Sequence, residues 1–196
     1  MAAIKKIDNE CLLNAAYDLV RREGLASLSA RRLAVAASCS TQPIYENFSG
    51  MSKVIEITTQ RMNDAFAELV SMVGKQENAG YAKQGIEICR YADEERVLFR
   101  HFVADNSRGM EMLDNKWNLE MLKEIYGVGG DQAEKVDRAM KDYILGKAFL
   151  VNAGYEKFDA DKIERDVNAY LEFAINKQEY IKRQYQQKRA KDDRYC

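Results

Sequence analysis

The chain is 196 residues long, which is enough for one continuous hydrophobic core or two small ones. Hydrophobic residues make up 46% of it and there is one proline, and no stretch alternates β-branched with polar residues, so an all-α protein is predicted. The formal net charge of −1 by itself neither favours nor excludes a class of partner.

Targeting and redox signals are missing from the sequence. Asp8 and Glu10 follow the N-terminal lysines where a signal peptide would need an apolar run. The most apolar stretch, residues 143–151, contains Lys147 and is too short to span a bilayer. The four cysteines are scattered without metal-ligand spacing or a disulfide framework: Cys11, Cys39, Cys89 and Cys196. We therefore expect a cytoplasmic protein with no membrane partner.

Charge is distributed unevenly along the chain. Residues 1–53 carry seven Lys and Arg against five Asp and Glu, a balance of +2. Residues 54–176 carry sixteen against twenty-three, a balance of −7, and residues 177–196 carry seven against three, a balance of +4. A mildly basic head on an acidic body is typical of a protein that binds phosphate with one end only. The basic tail 177–196 is interpreted as a solvated helical extension, with a second phosphate contact as the alternative.

The first predicted helix runs from about residue 8 to residue 22. Its inward face is formed by apolar residues at helical spacing: Ile7, Cys11, Leu12, Ala15, Ala16 and Leu19.

A second, shorter helix is predicted after Ser29. Small apolar residues recur at i, i+3, i+4 and i+7, which gives a narrow inward strip: Ala30, Leu33, Ala34 and Ala37. Ser29 stands at the N-cap position, where its hydroxyl oxygen can accept a hydrogen bond from the first turn of the helix.

The third predicted helix has an unusual distribution of side chains. Ser40 is predicted as its N-cap, and Pro43 then falls in the first turn, where its missing N–H costs no hydrogen bond. Only Ile44 and Phe48 face inward, while the outward side chains are polar or aromatic: Thr41, Gln42, Tyr45 and Asn47. A helix-turn-helix presents its second helix to the DNA major groove in this way. The alternative is an ordinary helical hairpin with Arg31 and Arg32 on a solvated face.

These segments carry a resemblance to a known family. The matching pieces are Leu13-Asn14-Ala15-Ala16, Leu19-Val20, Glu23-Gly24-Leu25, Ser29, Leu33-Ala34, Ala37, Ser40, Ile44-Tyr45 and Phe48. Over residues 8–54 the sequence resembles, without a gap, the N-terminal domain of the TetR (tetracycline-repressor-like) regulators of bacterial transcription. It departs from the family pattern where Ser38-Cys39 replaces Gly-Val, where Asn47 replaces a frequent His, and where Met51 replaces a phosphate-contacting Lys.

The resemblance implies a three-helix DNA-binding head, a larger all-helical effector-binding domain and a homodimer. Thr41 and Gln42, at the front of helix 3, are expected to read base edges. Phosphate contacts are expected from Ser29, Arg31, Tyr45 and Lys53, and the remaining predicted DNA-binding residues are Ser40, Pro43 and Asn47. The predicted division is a helix-turn-helix domain over 1–53 and an effector-binding and dimerisation domain over 54–196.

Helix 4 is predicted from about residue 52 to residue 73 and links the head to the body. Its apolar face contains Val54, Ile55, Met62, Phe66, Leu69 and Val70. Further helices are predicted over 81–105 and 110–126. Residues 127–130, Gly-Val-Gly-Gly, are interpreted as a connector, because no strand precedes them as a phosphate-binding loop would require.

Family analogy implies an effector cavity among the middle helices. Its candidate lining residues are Phe99, His101, Phe102, Trp117, Met121, Tyr126 and Tyr143, each of which has plain core as its alternative role.

The last two long helices are predicted to form the dimer. From residue 143 to 153 only Lys147 and Asn152 are clearly polar, and an apolar stripe follows from Ile163 onward. Two such helices from each subunit form a four-helix bundle in the predicted dimer. The predicted interface residues are Phe149, Leu150, Val167, Leu171, Ala174 and Ile175. Completion of the monomer core is the alternative.

No catalytic constellation is visible. His101 is the only histidine, and Asp105 and Glu111 could join it at a metal, but a solvent-facing or capped histidine is the commoner case. No Ser or Cys has a recognisable base nearby, so we expect no enzyme, no metal and no cofactor.

The sequence therefore predicts a homodimeric repressor that binds a near-palindromic operator in double-stranded DNA and responds to a small-molecule effector. The alternatives are a helical protein-interaction module without DNA binding and, more weakly, a cytosolic helical enzyme centred on His101.

Overall fold

The computed structural model of the chain describes residues 7–74, 80–105 and 116–192. Every regular element within these ranges is helical and none is a strand, which confirms the predicted all-α class. The α-helices are α1 (Asn9–Glu23), α2 (Ala30–Ala36), α3 (Gln42–Asn47), α4 (Met51–Gly74), α5 (Tyr81–Glu94), α6 (Arg96–Arg100), α7 (Lys116–Tyr126), α8 (Asp131–Asn152) and α9 (Ala160–Asp192). No described helix is long and apolar enough to cross a membrane.

The described residues form two compact units. The first contains residues 7–69 and 94–105, and the second contains 70–74, 80–93 and 116–192. Helix α4 therefore begins in the first unit and ends in the second. The sequence-based division at residue 53 remains a functional proposal, since the compact first unit includes most of α4 and the segment from residue 94 onward.

The core of the first unit forms around α1, α2 and the first part of α4. Helix α1 begins after Asp8 and ends at Gly24, whose φ of +85° is a backbone conformation that L side chains rarely adopt. Its buried residues lie on one face: Leu12, Leu13, Ala16, Leu19 and Val20. Helix α4 contributes Val54, Met62 and Phe66, each no more than 1% exposed. Burial of these side chains is the main stabilising term of the unit.

Residues 81–105 do not form the single helix that was predicted. Glu95 interrupts it with φ −110° and ψ 51°, and its carboxylate accepts a hydrogen bond from Arg21 Nε at 2.6 Å. A π-helical turn over His101–Asp105 follows α6, and there Phe102 stacks on Phe66 with ring centroids 4.5 Å apart. These contacts with α1 and α4 override the local helical preference, so that α6 belongs to the first unit.

The second unit is assembled from α5, α7, α8 and α9. Tyr81 bonds to Asp137, and Asn152 bonds to the carbonyl of Ala92, so α5 and α8 run side by side in the same direction. Between these two bonds along α5, a Cβ at Gly85 would be 3.0 Å from the Val167 side chain of α9 and 3.6 Å from Ile144 of α8. The absence of a side chain at Gly85 thus lets α5 pack closely against α9.

Residues 127–130 form a connector between α7 and α8, as predicted. Val128 donates its N–H to the carbonyl of Leu122 at 3.0 Å and is itself 4% exposed. Gly127 and Gly130 both have positive φ, at +67° and +60°. The predicted start of the preceding helix at 110–115 lies outside the described residues.

Candidate nucleic-acid interface

The outward face of α3 is the clearest candidate site in the first unit. Ile44 is fully buried and Phe48 is 8% exposed, so these two apolar side chains fix the helix on its unit. Thr41, Gln42 and Tyr45 are exposed, with Tyr45 60% exposed. The predicted distribution of side chains is therefore confirmed, except that Asn47 is half-buried.

Helix α2 begins and ends as its residues dictate. The Ser29 hydroxyl accepts the Arg32 N–H at 3.4 Å, which confirms Ser29 as the N-cap. At the other end, Cys39 N–H donates to the Ala34 carbonyl at 2.9 Å and Ser38 N–H to the Val35 carbonyl at 3.1 Å. These two bonds form a Schellman motif, which requires a left-handed residue after the helix.

Ser38 is that left-handed residue, with φ +52°. The TetR pattern has Gly at this position, and the backbone geometry explains the preference, since only Gly adopts positive φ without steric cost. Ser38 therefore holds the turn between α2 and α3 in a strained conformation.

The prediction that Ser40 caps α3 is wrong. The helix begins at Gln42, its N-cap is Thr41, and the Thr41 side chain makes no capping hydrogen bond. If Ser40 were the N-cap, Pro43 would occupy the third helical position, where a capping oxygen needs an N–H that proline lacks. Beginning one residue later lets Ile44 N–H donate to the Thr41 carbonyl at 3.2 Å.

The side chains of two residues predicted to contact DNA are hydrogen-bonded to neighbouring carboxylates. Gln42 Nε2 donates to Glu46 Oε1 at 2.5 Å, one turn further along α3. Lys53 Nζ donates to Glu56 Oε1 at 2.7 Å, with the two side chains 46% and 66% exposed. Exposed pairs of this kind contribute little to stability, so exchange for a phosphate or a base edge costs little.

Three arginines of α1 and α2 lie close together. Arg22 of α1 and Arg31 and Arg32 of α2 line one groove of about 370 Å³ around Val35, a valine that is 76% exposed. Arg32 is paired with Glu23. Sequence reasoning missed Arg22, because only the packing of α1 against α2 places it next to Arg31.

The predicted effector-pocket residues are divided between the two units. Phe99 and Phe102 are core residues of the first unit, at 1% and 2% exposure, and His101 begins its π-helical turn. In the second unit, Trp117 and Met121 are half-buried on α7, and Tyr126 is 43% exposed at the end of that helix. Tyr143 stacks on Tyr170 with ring centroids 4.1 Å apart.

A buried polar network lies among α5, α7 and α8 and had no counterpart in the sequence-based prediction. Asp137 is 7% exposed, and its Oδ1 accepts from Tyr81 Oη at 2.7 Å and from Asn118 Nδ2 at 2.9 Å. Lys141 Nζ lies 2.6 Å from Asp137 Oδ2. Burial, and secondarily the Asp137 charge, raises the pKa of Tyr81 far above its usual value, so this hydroxyl remains a donor.

The predicted dimer residues separate into two groups. Val167, Leu171 and Ala174 are 0%, 4% and 6% exposed within the single chain and belong to its own core. Phe149 and Leu150 of α8 are 51% and 36% exposed, and Ile175 of α9 is half-buried. Phe173 of α9, which the sequence prediction omitted, is 56% exposed.

The metal alternative at His101 lies only partly within the residues that the structure describes. Within them, no group of three or more His, Cys, Asp or Glu side chains is placed to hold a metal ion. Glu111, its third candidate ligand, lies outside these residues.

Comparison with known proteins gives matches among solved structures only. No family model matches the chain, and no curated protein matches it. A transcriptional regulator from Rhodococcus sp. Rha1 superposes with a TM-score of 0.59 at 16% identity, covering 87% of this chain and 97% of that one. A putative TetR-family regulator from Mesorhizobium loti MAFF303099 gives 0.53 at 16% identity, with 90% and 98% coverage.

A third solved structure is a TetR variant from Acinetobacter baumannii AYE in complex with minocycline. It gives a TM-score of 0.51 at 18% identity, covering 89% of this chain and 98% of that one. The similarity extends over nearly the whole of each of these solved structures and over most of this chain. The chain therefore has the fold of the TetR-family transcriptional regulators.

Proposed function

We propose that this protein is a transcriptional regulator that binds double-stranded operator DNA through α3 and represses transcription until a small-molecule effector releases it. The observation that carries the proposal is the outward face of α3. This helix is anchored by Ile44 and Phe48 and leaves Thr41, Gln42 and Tyr45 exposed, and the preceding helices α1 and α2 form a groove lined by three arginines. Such a helix adds little to the core, and its shape and polarity fit the major groove.

The proposed contacts follow from position and chemistry. Thr41 and Gln42 stand at the front of α3 and are assigned to base edges, because an amide or a hydroxyl can both donate and accept there. Arg31, Tyr45 and Lys53 are assigned to phosphates, with Arg22 added from the arginine groove. Ser29 contributes through the first turn of α2, whose N-terminus favours a phosphate.

Binding of purified protein to genomic fragments, followed by sequencing of the retained DNA, tests the proposal directly. Tyr45→Ala should lose operator binding, while Tyr126→Ala should retain it, because Tyr126 is a comparably exposed tyrosine in the second unit. Retention of no specific fragment by the parent protein, or equal operator binding by the two variants, would contradict DNA binding through α3.

We propose further that the protein acts as a homodimer through the exposed apolar face of α8 and α9. This face contains Phe149, Leu150, Phe173 and Ile175, and it gives a surface that a second copy can bury. A two-fold dimer must place its two α3 helices about 34 Å apart, so the operator should be a near-palindrome with half-sites about one helical turn or slightly more apart.

Sedimentation of single variants tests the dimer. Phe149→Glu should give a folded monomer, because this side chain is half exposed in the subunit, whereas Leu171→Glu should unfold the chain. Val35→Glu, at an exposed apolar position in the first unit, is the matched control and should remain dimeric. An active monomeric parent at micromolar concentration is incompatible with the model.

Helix α4 is the proposed route from effector to DNA. It contains 24 residues, or about 36 Å of continuous helix, and carries residues of both units. Met62 and Phe66 are buried in the first unit and Leu69 ends that unit's part of the helix. Effector binding should lower operator affinity by a coupling free energy of roughly 1–3 kcal/mol.

Reciprocity supplies the test of this coupling. Operator DNA must weaken effector binding by the same factor by which the effector weakens operator binding. Calorimetric titrations with and without operator measure both factors, and equal effector affinities in the two titrations would exclude release by this effector.

A further inference from the structure

Polar atoms without partners are buried in the second unit. Gln84 is 1% exposed, and neither its Nε2 nor its Oε1 has a hydrogen-bond partner. The indole Nε1 of Trp117 and the Oδ1 of Asn118 are likewise buried and unpaired. Leaving such groups unmatched opposes folding, because each has exchanged its bonds with water for none.

These atoms lie around one place in the fold. Tyr81 of α5 and Asn118 of α7 bond to the same oxygen of Asp137, so the two helices meet there. Trp117 precedes Asn118 on α7, and its indole Nε1 packs against Gly74 at the end of α4. Gln84 is one helical turn beyond Tyr81 on the same face of α5. Gly85, the next residue, packs against Val167 of α9 and Ile144 of α8. Gln84 therefore lies one helical turn along α5 from the Asp137 network.

The charge at this place is already balanced. The Asp137 carboxylate accepts from Tyr81 and Asn118 and pairs with Lys141 at 2.6 Å. A charged ligand would lose its hydration here without gaining an opposite charge, which is costly in a buried site. The unpaired atoms are instead N–H donors on Gln84 and Trp117 and amide oxygen acceptors on Gln84 and Asn118.

We propose that Gln84, together with Trp117 and Asn118, binds an uncharged small molecule that carries an N–H donor next to a carbonyl acceptor, as in a lactam. A primary amide presents its own N–H and C=O side by side, which is the complementary arrangement for two parallel hydrogen bonds. Trp117 and Met121, one turn apart on α7, are half-buried and provide an apolar and aromatic side toward the surface.

The inference rests on the proposed function, in which a small-molecule effector releases the operator, and it assigns that effector's chemistry and its site in the second unit. Trp117 is the only tryptophan, so its indole N–H gives one proton resonance that reports on this site. Titration with 2-piperidone, a small lactam, should shift that resonance saturably. N-methyl-2-piperidone lacks the donor and should bind at least about tenfold more weakly, and benzoate, an anion, should leave the resonance unchanged.

Gln84→Leu is the decisive variant. It should abolish the lactam-induced shift and raise the melting temperature of the unliganded protein, because it removes an amide that has no partner there. Gln178→Leu, at a half-buried position on α9, should bind the lactam like the parent. A lower melting temperature for Gln84→Leu, unchanged lactam binding in that variant, or no saturable shift in the parent would each overturn the inference.

A measurement of operator binding distinguishes failure of this inference from failure of the proposed function. Gln84→Leu should still bind operator DNA, so failure of lactam binding with intact DNA binding refutes only the ligand assignment. Lactam binding by a parent protein that binds no DNA would instead refute the regulatory proposal.

Discussion

The same two residue types occupy opposite environments in α3 and α5. Gln42 and Tyr45 are three residues apart on α3 and both are exposed, whereas Tyr81 and Gln84 are three residues apart on α5 and both are 1% exposed. The Gln42 amide donates to a neighbouring carboxylate, while the amide of Gln84 has no hydrogen-bond partner. Burial, not residue type, therefore decides how costly it is for a glutamine amide to lack a hydrogen-bond partner.

We therefore expect substitutions on α3 to change binding without changing stability, and substitutions in the buried network to change stability. Removing a polar side chain from α3 changes what the surface can contact and leaves the core intact. Removing one from the network beside α5 leaves other buried groups without partners. The following substitutions test this expectation, in order of decreasing expected effect.

Asp137→Ala should have the largest effect, a loss of about 3–5 kcal/mol in the free energy of unfolding. The substitution takes the acceptor from Tyr81 and Asn118 and the carboxylate partner from Lys141. Glu46→Ala, which removes an exposed carboxylate from α3, should stay within about 0.5 kcal/mol of the parent. Urea denaturation measures both, and similar losses would show that α3 is as tightly integrated as the buried network.

Gln42→Ala should leave stability unchanged and reduce discrimination at one or two operator positions by roughly 1–3 kcal/mol. Arg31→Ala should instead weaken binding to all sequences alike and reduce the salt dependence by about one phosphate contact. Affinities for operator and single-base variants at several salt concentrations distinguish the two. If both variants bind like the parent, α3 is not the recognition helix.

Ser38→Gly should stabilise the protein by up to about 1 kcal/mol. The substitution relieves the positive φ of +52° in the turn before α3, and part of the gain is lost to the greater freedom of glycine in the unfolded chain. Gly154→Ala is the opposite control, because Gly154 has φ +78° with open space around its Cα, and it should destabilise. Thermal unfolding of the two variants should move in opposite directions.

The smallest effect should be a pH dependence from the second unit. Hydrogen bonds from Lys147 lower the pKa of Asp166 and, with Lys162, that of Glu156. Because the folded-state values are depressed, their stabilising contribution is present above the ordinary carboxylate pKa, near 4, and is lost as the pH falls below it. The melting temperature should fall in that window less steeply in Lys147→Met than in the parent, and parallel curves would contradict this assignment.

The parts of the fold that were predicted correctly depend on neighbours in sequence. The Ser29 cap, the burial of Leu33 and Ala34 on α2, and the exposure of Gln42 and Tyr45 follow from spacing within a few residues. The break at Glu95 could not be found in this way, because it depends on Arg21, which is 74 positions away.

Candidate sites show the same limit. Gln84 lies on the apolar stripe of α5, and a polar residue at such a position is a signal that the sequence carries. What this residue contacts depends on how α7 and α8 pack, and helical spacing within α5 does not reveal that packing. Val167 and Leu171 illustrate the converse, since an apolar stripe alone cannot tell a subunit core from an interface.

The membership of α6 in the first unit limits how the proposed DNA-binding part can be isolated. Phe66 of α4 is covered by Phe102, and Arg21 of α1 is paired with Glu95, although both partners follow α5 in the chain. A fragment ending at residue 69 would therefore expose an aromatic ring that the intact chain buries, and it should aggregate or require detergent. The compact first unit is discontinuous in sequence, so exchange of this unit with that of another TetR-fold protein should succeed only if residues 94–105 are transferred as well.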